Sequence, residues 1–136
     1  MFAITVNGVP VPQGSKSATV RGGRAVMFDA NSKLRGWRQT VTLAVRNKMA
    51  ETRFMPFAPD DAIQVIVKFY FERPKSSKRQ HMTVKPDVDK LSRSILDSLA
   101  DAGMFPGDQQ VDYLIAEKIY CAPYEKPGVF IFITKR

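Results

Sequence analysis

The chain opens on a short alternation. Phe2, Ile4 and Val6 are separated by Ala3 and Thr5, the two-residue period of a half-buried strand. From Asn7 to Met27, Pro10, Pro12, Gly14, Gly22 and Gly23 deny any regular period, so this stretch reads as a loop with a loose hairpin around Gly22-Gly23. Asn31 or Ser32 can then cap a helix, and Leu34, Trp37, Val41, Ala44, Val45 and Met49 recur at helical spacing. Glu51 to Asp61, with Pro56 and Pro59, is a connection. Ile63 to Phe71 predicts a central strand, with Ile63, Val65, Val67, Phe69 and Phe71 on one face. A loop follows over Arg73 to Met82.

Asp87 to Ala102 predicts the second helix. Val88, Leu91, Ile95, Leu99 and Ala102 form its buried stripe, and Gly103 is placed to end it. A short loop, Met104 to Gln110, leads to strands at Val111–Cys121 and Val129–Thr134, joined by a turn at Pro123 to Gly128. The order β-α-β-α-β-β predicts an α+β fold: a mixed four-stranded sheet with two helices packed on one face. With 136 residues, 44% of them hydrophobic, the chain fits one domain, 1–136, around one core.

Charge adds a partner to this picture. The net charge is +8, which points to an anionic ligand, most commonly nucleic acid, against the plainer alternative of a merely basic protein. The charges are unevenly spread: +7 over residues 1–53, +3 over 54–86 and −2 over 87–136. A basic surface beside an acidic cluster suits an enzyme that grips phosphates and attacks one of them. The single Cys121 excludes an intrachain disulfide framework and a cysteine-rich zinc site, and the single His81 cannot build a histidine metal site. No signal peptide pattern or membrane-length apolar run is seen, so a cytoplasmic location is expected.

The candidate chemistry lies in Lys85-Pro86-Asp87-Val88-Asp89-Lys90-Leu91. Asp87 and Asp89 fall where a loop enters the second helix. Either acid alone could be a helix cap favoured by the helix dipole. Two acids at i and i+2, with Asp108 after the helix, suggest a carboxylate cluster for Mg²⁺, with Mn²⁺ as a possible substitute. A helix of this length is roughly 24 Å long. Asp108 must therefore be carried back by its loop or the next strand, and Gly103 to Asp108 spans at most about 20 Å. Asp89, Arg93 and Asp97 line one helical stripe. Arg93 is either a member of a surface ion-pair ladder or a fixed charge beside the scissile phosphate, with Asp97 orienting it.

At these residues the chain resembles the RusA family of Holliday-junction resolvases. The match runs through Lys85 to Leu91, then Ile95-Leu96-Asp97-Ser98-Leu99, Ala102-Gly103-Met104-Phe105 and Asp108-Gln109-Gln110-Val111, with a looser match at Pro10-Val11-Pro12. The resemblance implies a homodimer that binds four-way junctions and nicks two opposing strands, and it implies a phage or prophage source. It assigns Mg²⁺ binding to Asp87, Asp89 and Asp108, and a basic role in the site to Arg93. Three departures stand out: Lys90 where Asn is usual, Gly107 where a further acid is frequent, and Arg93 for Lys. A two-fold dimer would match the approximate two-fold symmetry of the junction. Lys16, Arg21, Arg24, Lys75, Lys78, Arg79, Lys85 and Lys90 are the expected DNA contacts, which would position the phosphates without reading sequence.

Two other readings stay open here. One is a nuclease that prefers flaps or forks. The other is a non-catalytic branched-DNA binder whose acids only cap the helix. Trp37 reads as core rather than a stacking platform, Cys121 as a small buried strand residue, and His81 as a solvent residue.

Overall fold

The computed structural model describes residues 1–14, 17–21, 24–28 and 32–136, with 17–21 and 24–28 described by their backbone. The chain runs β1 (Phe2–Asn7), β2 (Ser17–Arg21), β3 (Arg24–Phe28), α1 (Ser32–Thr52), β4 (Ile63–Phe71), α2 (Val88–Asp101), a single 3₁₀ turn (Asp108–Gln110), β5 (Val111–Tyr120) and β6 (Gly128–Lys135). Four strands form one sheet in the order β1-β6-β4-β5. β6 is antiparallel to β1 and β4, whereas β4 and β5 are parallel. β2 and β3 pair with each other as a separate ribbon, the hairpin anticipated in the basic loop. The α+β architecture and the β-α-β-α-β-β order of the main elements hold.

The two-residue period of the strands explains where the core sits. On β4, Ile63, Val65, Val67, Phe69 and Phe71 are buried while the alternate residues are half-exposed. Val129, Ile131 and Ile133 of β6 and Phe2, Ile4 and Val6 of β1 continue this face. The apolar stripes of both helices join the same core: Trp37, Val41, Val45 and Met49 from α1, and Leu91, Ile95 and Leu99 from α2. Truncating Leu91, Ile95 or Leu99 to alanine would cost about 2–5 kcal/mol, because each is fully enclosed. Trp37 is core, as its place on the stripe suggested. Its ring sits against Gly8, where a Cβ would come within 3.0 Å of Cζ3 and where φ is +138°. Only glycine suits that position.

The end of α2 is built from backbone chemistry. Gly103 takes φ +84°, and the amides of Gly103 and Met104 donate to the carbonyls of Ala100 and Leu99. These are the two bonds of a Schellman cap. The chain turns there and runs back to start β5. Since β4 and β5 are parallel and α2 joins them, α2 lies antiparallel to both. Its start therefore stands beside Phe71 and Tyr120, and its end beside Ile63 and Val111.

Candidate functional site

Asp87 occupies the cap position of α2, with extended φ and ψ of −71° and 138°, yet its side chain makes no capping hydrogen bond. The carboxylate instead faces Lys90, with Oδ2 3.4 Å from Nζ. Asp89 lies in the first turn. Both side chains are exposed. The simple cap reading thus fails for Asp87, whose acid group is not spent on the backbone. Beside it is a small depression of about 210 Å³ lined by Pro12, Lys85, Pro86, Asp87 and Lys90. A carboxylate flanked by two lysine ammoniums suits a charged ligand that needs both signs.

Two contacts hold this end of α2 in place, and neither was visible from the motif. Lys118 of β5 donates to the carbonyl of Pro86 at 2.8 Å and to that of Val84. It ties the segment preceding Asp87 to the sheet. The Lys85-Pro86 peptide within that segment is cis. The signal was a lysine on the same side of β5 as Leu114 and Ala116, both paired with core residues of β4. The second contact comes from the N-terminal loop: the Gln13 amide N–H donates to Lys90 O at 3.0 Å, and Gln13 Nε2 donates to Asp97 Oδ2 at 2.6 Å. This corrects the expected Arg93–Asp97 pairing. Asp97 is held by Gln13, and Arg93 is exposed with no ion pair among the described residues.

Asp108 is exposed at the opposite end of the helix. Its turn is anchored from below, where Gln110 Nε2 donates to Ala58 O at 2.7 Å and to Asp61 O at 3.2 Å. The Asp61 carboxylate in turn accepts from the Ala58 amide at 2.8 Å and pairs with Lys135 at 3.0 Å. The Lys135 ammonium, followed by the Ala58 N–H, holds the Asp61 carboxyl below its ordinary range. Gly107 is covered by the Gln109 side chain, so an acid at position 107 would have to displace it.

The convergence of three aspartates within one chain is therefore corrected. α2 has 14 residues, which makes it about 21 Å long, and Asp108 sits at its far end. The physical reason is direction: α2 runs back along β5, so the loop after it emerges at the wrong end. Among the described residues, no three His, Cys, Asp or Glu side chains gather closely enough to hold a metal. Asp87 and Asp89 share the start of α2, and Asp108 lies beyond its other end.

The expected DNA contacts divide similarly. Lys85 and Lys90 flank Asp87. Lys75, Lys78 and Arg79 are exposed on the loop after β4, with Arg79 Nη1 donating to Thr83 Oγ1 at 3.2 Å. Lys16 and the side chains of Arg21 and Arg24 lie outside the described residues. Cys121 is half-buried just past β5, more open than expected. No helix among the described residues is long and apolar enough to cross a membrane.

The family model for the endodeoxyribonuclease RusA matches residues 7–134. A Bacillus subtilis (strain 168) protein, the uncharacterized protein YqaN, is 30% identical over 143 residues, covering 96% of this chain and 94% of its own.

Proposed function

The chain belongs to the RusA endodeoxyribonuclease family, and from that premise we propose that it is a homodimeric, Mg²⁺-dependent nuclease that resolves four-way DNA junctions by paired phosphodiester hydrolysis. The observation that carries this reading is the bare edge of β5. That strand ends the sheet, and three successive apolar residues on it, Tyr113, Leu114 and Ile115, are 44%, 43% and 45% exposed. Successive strand residues point to opposite faces, so the edge is open on both sides. A long apolar edge invites pairing with another strand. A second copy satisfies it with two-fold symmetry, the two β5 strands running antiparallel.

That pairing also supplies the third acid. With the two-fold beside Leu114, the start of one β5 lies beside Glu117 of the other, and Asp108, three residues before that start, comes level with Tyr120. Tyr120 is at the end of β5 where Lys118 holds the approach to Asp87. Asp108 of the partner subunit would then reach Asp87 and Asp89. The dimer has two such sites, related by the same axis that relates opposing strands of a junction.

The donors fit the cation. Asp87 and Asp89 are exposed, uncapped carboxylates two positions apart, and Mg²⁺ takes one or two carboxylates while leaving places for water and phosphate. Bound Mg²⁺, or Mn²⁺ in its place, supplies Lewis-acid polarisation of the phosphate and an activated water. Arg93, one turn along α2 from Asp89 and free of acidic partners among the described residues, would present fixed positive charge to the non-bridging oxygens of the phosphate under attack. Lys85 and Lys90 hold the flanking phosphates. Lys75, Lys78 and Arg79, with Lys16, Arg21 and Arg24 from the N-terminal loop and ribbon, follow the DNA backbone.

The test is a synthetic four-way junction with Mg²⁺. Wild type should place symmetric nicks in two opposing strands, and Asp89→Asn should bind without cutting. Full cutting by Asp89→Asn ends the carboxylate mechanism. Binding with no nicks at any metal concentration leaves a branched-DNA binder. Equal cutting of flaps and forks replaces the junction with a wider class of branches.

A further inference from the structure

Three arginines of α1 meet the end of α2 in a groove outside the carboxylate site. Arg35, Arg38, Thr42, Leu43 and Arg46 line it together with Asp101, enclosing about 490 Å³. Arg38 Nη2 is 2.7 Å from Asp101 Oδ2, and Arg46 Nη2 donates to the Asp101 carbonyl at 3.0 Å. Thr42 Oγ1 bonds to Ser98 O at 3.4 Å, closing the floor between the helices. Arg35 is exposed one turn earlier, and Leu43 is 53% exposed.

These contacts leave the groove positive. One carboxylate faces three guanidiniums, and Arg46 is bonded only to a neutral carbonyl. The bonds also fix the forks of Arg38 and Arg46 before any ligand arrives, which lowers the ordering cost of binding. The guanidinium fork matches phosphate oxygens, and exposed Leu43 offers an apolar contact between the charges. From Arg35 to Arg46 the row is about 16 Å long, a distance that covers roughly five base pairs of duplex. A row of this length fits a polyanion with regular charge spacing better than a single small anion.

We propose that this groove binds the backbone of a duplex arm away from the point of cleavage. The inference rests on the reading of branched DNA as substrate and adds where an arm leaves the site. Asp101 and Asp87 bracket α2, about 20 Å apart. The groove is thus about six base pairs of duplex from the Asp87 site of its own subunit, at the end of α2 whose Asp108 serves the partner's site. The dimer carries two grooves, one for each of two arms.

The test measures binding by fluorescence anisotropy, in EDTA, on junctions with arms of about 20 base pairs. The variant is Arg35→Gln with Arg46→Gln; Arg35→Gln alone spares the contact to Asp101 and guards against misfolding, with melting temperature as the control. Each dimer then loses four phosphate contacts, two per groove, which should lower the slope of log affinity against log salt by about 3.6 and weaken binding at least about ten-fold near physiological salt. Arg35→Gln alone should give about half of that slope change. Neutral methylphosphonates placed six to eight base pairs from the branch should weaken wild type and leave the double variant unaffected. An unchanged salt slope in folded variants, or an equal methylphosphonate penalty in both proteins, overturns the proposal. Wild type that prefers linear duplex as strongly as a junction removes the junction reading, while a lowered slope on linear duplex would still uphold the groove.

Discussion

The two edges of the sheet are finished in opposite ways. At β1, the strand is six residues long, and α1 reaches over it: Lys48 Nζ donates to Ala3 O at 2.6 Å. The chain after β1 then crosses to α2, where Ser94 Oγ donates to Val11 O at 3.0 Å. At β5, the strand is ten residues long, and its middle offers Tyr113, Leu114 and Ile115 to solvent. One edge is tied down by the chain's own side chains, and the other is left open. Only the open edge adjoins both halves of the carboxylate set, with Lys118 and the start of α2 at one end and Asp108 at the other.

The largest effect should come from breaking the open edge. Leu114→Lys with Ile115→Lys should give a folded monomer in sedimentation. Nicking should fall at least about 100-fold, as expected when the carboxylates of a metal site are separated. Thr5→Lys on β1 should change neither property. A variant that stays dimeric and active would show that β5 is not the interface.

Next in size is Lys118→Met. It leaves the exposed Val84 carbonyl and the part-buried Pro86 carbonyl without their ammonium donor, a loss of about 0.5–1.5 kcal/mol for each bond, since water can replace the donor. A purely structural role would move the melting temperature alone. A positioning role should also weaken Mn²⁺ binding about ten-fold by electron paramagnetic resonance, because the approach to Asp87 is no longer held. Unaltered Mn²⁺ affinity would reduce Lys118 to a stabilising residue.

The smallest effect concerns the anchor beneath Asp108. The Asp61 carboxyl titrates below its ordinary value because of Lys135 and the Ala58 amide. A lowered folded pKa contributes stability that is present above the unfolded value, near 4, and is lost as pH falls through the folded value. Asp61→Asn should thus be less stable than wild type at neutral pH, with the gap closing in acid. Urea melts across pH 2–7 measure this, and a gap that widens in acid would contradict it.

Much of the fold was legible because its period was strong. The alternation in Ile63–Phe71 and the stripe Leu91-Ile95-Leu99 correspond to β4 and α2, and Gly103 ends the helix in a positive-φ cap. The edge was not legible. Val111–Tyr120 carries the apolar residues of a buried strand, and periodicity does not distinguish an edge awaiting a partner from the middle of a sheet. The site was half legible for a related reason. Asp87 and Asp89 are close in the chain, so their proximity is local. The place of Asp108 depends on β5 running parallel to β4, a non-local pairing that no short motif reports. Gln13 and Lys118 reach the site from 84 and 32 residues away from their partners Asp97 and Pro86, beyond any local pattern.

The proposal of a site shared between subunits has one direct test. Asp89→Asn and Asp108→Asn proteins are each prepared, shown to be inactive alone, then unfolded and refolded together. If each site takes Asp89 from one subunit and Asp108 from the other, the mixed dimer keeps one intact site. Random pairing then restores about one quarter of the wild-type sites, seen as single nicks in four-way junctions. A mixture that forms mixed dimers yet stays inactive would contradict a site built between subunits.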